Sequence, residues 1–105
     1  MFRSAAKLTI ITEHFLSPAV CELIEQGGGK GYTLVSVGGK GLHHLHPVRD
    51  KAMVVEGFDN IKIEVVVSDR ATAESIAERI MDECLAENPG IMFLDMVEVC
   101  RSDRF

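Results

Sequence analysis

The sequence predicts an α+β fold with the order strand, helix, strand, strand, helix, strand. Three observations predict it. Runs that are β-branched or alternate apolar with polar residues occur at 7–12, 32–37, 60–67 and 91–99. Two segments, after Ser17 and after Asp69, repeat apolar residues at three- and four-residue steps. Glycine, proline and asparagine punctuate the chain between them, at 27–29, 38–41 and 88–90.

Residues 7–12, Lys-Leu-Thr-Ile-Ile-Thr, read as the first strand. Ser17 before Pro18 reads as an N-cap followed by proline at the first helical position. Leu16, Val20, Leu23 and Ile24 then follow the 3.6-residue period, and Gly27, Gly28 and Gly29 stop the helix. Residues 32–37 form the second strand. In the third, Ile61, Ile63, Val65 and Val67 share one face, with Lys62 and Glu64 on the other. Asp69 caps a second helix whose apolar positions are Ala73, Ile76, Ala77, Ile80, Met81, Cys84 and Leu85. Asn88-Pro89-Gly90 ends it, and residues 91–99 form the fourth strand. This order is the ferredoxin-like βαββαβ arrangement, with both helices on one sheet face. Ile10 or Ile11, Val35, Val66, Leu94 and Met96 leave apolar residues for the other face, so a second subunit is expected to cover it.

At 105 residues, 47% hydrophobic and 26% charged, the chain suits one domain, 1–105, of ordinary globular balance. No apolar run approaches the roughly 18 residues that span a bilayer, and no signal peptide is evident, so the expected location is cytoplasmic. The net charge of −5 argues against nucleic acid. Cys21, Cys84 and Cys100 lie far apart without a C-x-x-C pair, and the first two fit apolar helix positions as buried free thiols.

Residues 27–41, Gly-Gly-Gly-Lys-Gly-Tyr-Thr-Leu-Val-Ser-Val-Gly-Gly-Lys-Gly, carry the strongest functional signal. Glycine lets main-chain N–H groups approach a ligand, and lysine adds a mobile positive charge. Phosphate or another small oxyanion is the indicated guest, although plain turns are the ordinary use of glycines at strand ends. The second cluster opens directly into residues 41–59, far longer than a hairpin needs, which suggests a functional loop. His43, His44 and His46 lie in it. Their spacing fixes no metal geometry, so no metal site is assigned. No nucleophile elbow or comparable catalytic pattern is present, and a non-enzyme is expected.

Taken in order, Gly31-Tyr32-Thr33, Val37-Gly38-Gly39-Lys40-Gly41, Asn60-Ile61-Lys62-Ile63-Glu64 and Pro89-Gly90-Ile91 resemble the PII signalling superfamily over nearly the whole chain. The branch they look most like comprises the carboxysome-associated PII proteins and bicarbonate-transporter regulators. The resemblance implies a homotrimer with adenine nucleotide bound between subunits and a partner-docking T-loop at 41–59. It implies that Gly38, Gly39, Lys40 and Gly41 cradle phosphates, that Thr33 of a neighbouring subunit meets the adenine, and that Glu64 and Val66 line the cleft. Gly90 would offer main-chain groups, and Arg101 would support the phosphates. The lysine of ordinary PII proteins is replaced by Gly90, so ADP or AMP is expected before ATP. Bicarbonate would use Gly39, Lys40 and Gly41, and the partner would be a bicarbonate transporter or carboxysome-linked protein. The alternative is a divalent-metal-responsive trimer of the copper-tolerance type, motivated by the three loop histidines and the cysteines.

Overall fold

The computed structural model describes residues 1–39 and 59–100. A four-stranded antiparallel sheet is formed by β1 (Arg3–Glu13), β2 (Tyr32–Val37), β3 (Asn60–Val67) and β4 (Gly90–Val99), in the order β2-β3-β1-β4. Helices α1 (Ser17–Gln26) and α2 (Arg70–Ile80) connect it into the ferredoxin-like βαββαβ fold. The first strand is longer than its β-branched centre indicates. Ala5 and Ala6 have low strand propensity, but both are wholly buried, Ala6 between Val67 of β3 and Met96 of β4 and Ala5 opposite Val97 of β4, and tertiary pairing overrides the local preference.

Register decides which side chains share a face. Opposite residues on antiparallel neighbours point the same way, so Leu8 with Val65 and Leu94, and Ile10 with Ile63 and Met92, form rows toward the helices. Val20, Leu23 and Ile24 of α1 and Ala73, Ile76 and Ile80 of α2 close this core. Each fully buried Leu, Ile or Val stabilises the fold by roughly 1.5–3 kcal/mol through lost apolar hydration.

The pleat corrects part of the expected second face. Leu94 and Met96 belong to the helix-side rows, whereas Ile11, Val35 and Val66 lie on the open side with Ile91, Phe93 and Val97. Strand alternation applied without register misplaces β4 by one residue, which exchanges its two faces.

The helix ends also refine the sequence reading. Ser17 is not the N-cap: a 3-10 turn, His14–Leu16, leads into α1, and Ser17 is already helical with Pro18 next to it. Asp69 does cap α2, its Oδ1 accepting the Thr72 N–H at 2.8 Å. Beyond Ile80 the helix loosens into a π turn, Met81–Leu85, which sinks Cys84 and Leu85 into the core. Asn88 Nδ2 donates to the Cys84 carbonyl at 2.8 Å and closes the free helix end.

Gly27, Gly28 and Gly29 form a helix-ending turn. Their N–H groups return to the Leu23, Ile24 and Glu25 carbonyls, and Gly28 has φ +105°. A side chain on Gly27 would collide with Ile76, so the first glycine cluster lets α1 approach α2. Packing and chain reversal account for it, without a ligand.

Candidate functional site

On the open face the sheet presents a ladder of polar residues between apolar ones. Thr33 on β2 stands opposite Glu64 on β3, which stands opposite Thr9 on β1. One row along, Val66 faces Lys7, and Lys7 faces Asp95. The Lys7 ammonium lies 3.7 Å from Glu64 Oε2, a pair about one third exposed. Its Coulomb gain is modest because water screens it. The Thr9 hydroxyl is wholly buried, and its Oγ1 has no hydrogen-bond partner among the described residues.

A cleft of about 520 Å³ opens at this ladder. That volume falls within the ordinary range for small-molecule sites. Thr33, Glu64 and Val66, three of the residues singled out from the sequence, line it together. Lys7, Tyr32 and Glu98 also line it and were not anticipated, and Phe2, Gly31, Val99 and Cys100 border it as well. Lys7 was legible in part: it opens the first strand read from the sequence, and register with Val66 brings it to the same face as Glu64.

Tyr32 is fixed from behind. Its hydroxyl donates to Glu25 Oε2 on α1 at 2.6 Å. This bond to a carboxylate holds the phenol well above its usual range, and hydrogen bonding with Cys21 adds to the effect. Burial pushes the Cys21 thiol up as well. The phenol therefore stays neutral at physiological pH.

The electrostatics divide the labour. Among the described residues that line the cleft, Glu64 and Lys7 stand on the open face as opposite charges, whereas the pairing of Glu98 with Ser4 puts it in the helix-side rows. Such a wall recognises hydrogen-bonding groups and does not concentrate anions. The glycines lie elsewhere. Val37 pairs with Asn60, Asn60 with Glu13, and Thr12 with Gly90, so Gly38, Gly39 and Gly90 all belong to one end of the sheet. The cleft residues Val66, Lys7 and Glu98 sit toward the other end. One copy of the chain therefore does not bring Gly38, Gly39 and Gly90 to Thr33, Glu64 and Val66.

Gly39 is exposed, and an added Cβ there would meet no atom of the described residues within 4 Å. Gly90 is constrained by its neighbours: an added Cβ would lie 2.8 Å from Leu85 Cδ2 and 3.1 Å from the Ile11 carbonyl oxygen. Thr12 Oγ1 donates to the Pro89 carbonyl at 2.8 Å and fastens the same turn. Lys40, Gly41, the histidines 43, 44 and 46, and Arg101 lie outside the described residues, as does most of the 41–59 segment. Asp59, the last residue of that segment, is described, and its carbonyl accepts the His14 N–H at 3.0 Å. Among the described residues no helix is long and apolar enough to cross a membrane.

The architecture matches known structures over the full length of the chain. A PII-like signalling protein of Thermus thermophilus is 26% identical, with 97% of this chain and 95% of that one covered and a TM-score of 0.76. CPII of Thiomonas intermedia, solved with ADP, AMP and acetate, is 25% identical over 100% of this chain and 97% of its own, with a TM-score of 0.78. CPII solved with ADP and bicarbonate gives 24% identity, the same coverage and a TM-score of 0.80. A family model for nitrogen regulatory protein P-II matches residues 5–104. Matched by that model over nearly its whole length, the chain belongs to the nitrogen regulatory protein P-II family.

Proposed function

We propose that this chain is a single-domain PII-like regulator, not an enzyme, that works as a cytoplasmic homotrimer. It binds ADP or AMP, and ATP less well, in clefts between subunits. Bicarbonate shares the cleft, and the occupied state controls inorganic-carbon uptake or carboxysome function through residues 41–59. The observation that carries this reading is the division of the site. Thr33, Glu64 and Val66 line an open-face cleft, while Gly38, Gly39 and Gly90 stand at the far end of the same sheet. Two copies placed side by side unite the halves.

Within the united site each residue has a task suited to its chemistry. Thr33, with Glu64 opposite, meets the donors and acceptors of the adenine. Val66 supplies apolar contact. Gly38, Gly39 and Gly41 turn main-chain N–H groups toward the phosphates or bicarbonate, with Lys40 and Arg101 supplying charge. Gly90 adds a main-chain contact from its turn. The apolar open-face residues Ile91, Phe93 and Val35, each about half exposed in the single chain, favour burial against further copies. CPII has been solved with ADP, AMP and bicarbonate, which supports the choice of ligands. The family match favours this reading over the metal-responsive one.

Calorimetry with AMP, ADP and ATP, each with and without bicarbonate, tests the ligands, and sedimentation tests the trimer. Saturable heat for ADP or AMP from a species three chains in mass is expected. No heat at millimolar nucleotide, or a monomer, overturns the reading.

A further inference from the structure

His14 directly follows β1 and bonds both to the end of β2, which leads to Gly38 and Gly39, and to the residue before β3. Its main-chain N–H donates to the Asp59 carbonyl at 3.0 Å, one residue before β3 begins. Its imidazole Nε2 lies 3.0 Å from Ser36 Oγ, on the penultimate residue of β2 and two residues before Gly38. Ser36 and Asn60 occupy neighbouring rungs of the same ladder, where Val37 pairs with Asn60. One residue thus ties the exit of β2 and the entry of β3 to the end of the central strand.

Among the described residues, the rest of that corner offers little alternative support. Ser36, Gly38 and Gly39 are exposed, and β2 is an edge strand with a neighbour on one side only. Exposed edge strands are held weakly by packing, so a specific side-chain bond has leverage on where they end. The imidazole–hydroxyl bond forms with the ring nitrogen as acceptor or donor, because serine supplies both roles.

We propose that His14 is a positioning residue for the anion cradle: through Ser36 it fixes the path of the Gly38 and Gly39 main chain, and with it the aim of their N–H groups. This rests on the reading that these glycines hold the phosphates of an adenine nucleotide. His14 itself does not touch the base half of the site, which is formed by Thr33, Glu64 and Val66.

The test is calorimetry of the full-length protein with ADP and with adenosine, for wild type, His14→Ala, His14→Gln, Ser36→Ala and the His14→Ala/Ser36→Ala double variant. The expected result is a loss of ADP affinity of about twofold to tenfold in each alanine variant. The double variant should lose no more than either single one, because both remove one bond. Adenosine affinity should stay at the wild-type value, and the glutamine amide should restore most of the ADP affinity. Equal weakening of ADP and adenosine would assign His14 a general structural role and overturn the proposal, as would wild-type ADP affinity in the alanine variants. Ser36→Ala alters one exposed hydroxyl, so it keeps the test available if His14→Ala folds poorly. Wild-type protein that binds no ADP defeats the nucleotide reading together with this one, whereas normal wild-type binding with unaffected variants defeats only the role of His14.

Discussion

The Tyr32 hydroxyl and the Glu25 carboxylate meet at 2.6 Å, across the gap between the start of β2 and the last turn of α1. The bond stitches the cleft wall to the helix layer behind it. It also has a spectroscopic consequence: a phenol that donates to a carboxylate resists ionisation, because losing its proton would bring two negative charges together.

Tyr32 is the only tyrosine, and the chain has no tryptophan, so ultraviolet absorbance of the phenolate reports this residue alone. Its titration in the folded protein should lie above the ordinary value of about 10. Glu25→Gln should move it back down. The sign for stability follows from the raised value: the bond contributes fully below the unfolded phenol pKa and is lost as pH rises through the folded one. A wild-type titration at the ordinary value removes the bond as a feature of the solution structure.

Asp69 gives the opposite pH dependence. Its carboxylate accepts the Thr72 N–H, and that bond holds its pKa below the usual carboxylate range. The cap is therefore complete above the unfolded value of about 3.9 and fades as pH falls through the lower folded value. Thermal unfolding should show Asp69→Ala with a lower midpoint than wild type at neutral pH, and the gap should close in acid. Asp69→Asn should keep much of the cap at every pH, since an amide oxygen accepts the same bond. A gap that persists unchanged into acid contradicts the assignment.

Asp69, the α2 stripe and the third-strand alternation were all legible because each is written in local sequence, within four residues of the structure it makes. What escaped is set by partners distant in the chain. The faces of Leu94 and Met96 depend on register with Leu8 and Ala6, about ninety residues away. Ala5 and Ala6 become strand because β4 pairs with both and β3 pairs with Ala6. The 3-10 turn at His14–Leu16 displaced the cap expected at Ser17. In the site, Thr33, Glu64 and Val66 were found by resemblance and meet in one cleft, while Lys7 joins them through its pairing with Val66. The two glycine clusters looked alike in sequence, yet Gly27 has a helix against it and Gly39 meets none of the described residues.

Gly90 separates a packing role from a binding role. A methyl group there would press on Leu85 and on the Ile11 carbonyl oxygen, and the carbonyl cannot rotate away. Gly90→Ala should therefore destabilise the protein by about 1–3 kcal/mol, the usual cost of overpacking. Thr12→Val removes the bond to the Pro89 carbonyl and should cost about 1 kcal/mol, with less than additive loss in the double variant because both act on one turn. Denaturant unfolding measures all three. An unperturbed Gly90→Ala midpoint would show that the turn is free to yield.

Gly39 is the converse case, and it isolates the ligand. Because a side chain at this position meets nothing among the described residues, Gly39→Val should leave the unfolding free energy within about 0.5 kcal/mol of wild type. The same valine would occupy the space an anion needs against the main-chain N–H groups, so ADP affinity should fall. Lys40→Ala should weaken ADP by about 1.5–3 kcal/mol, the loss of a hydrogen bond to a charged group. The difference between the two variants lies in salt dependence. Lys40 acts partly through long-range charge, so its effect should shrink at high ionic strength, whereas the steric effect of valine should not. Stability equal to wild type with normal ADP affinity in Gly39→Val would make the second glycine cluster a turn like the first. The phosphates would then have to be held by other groups.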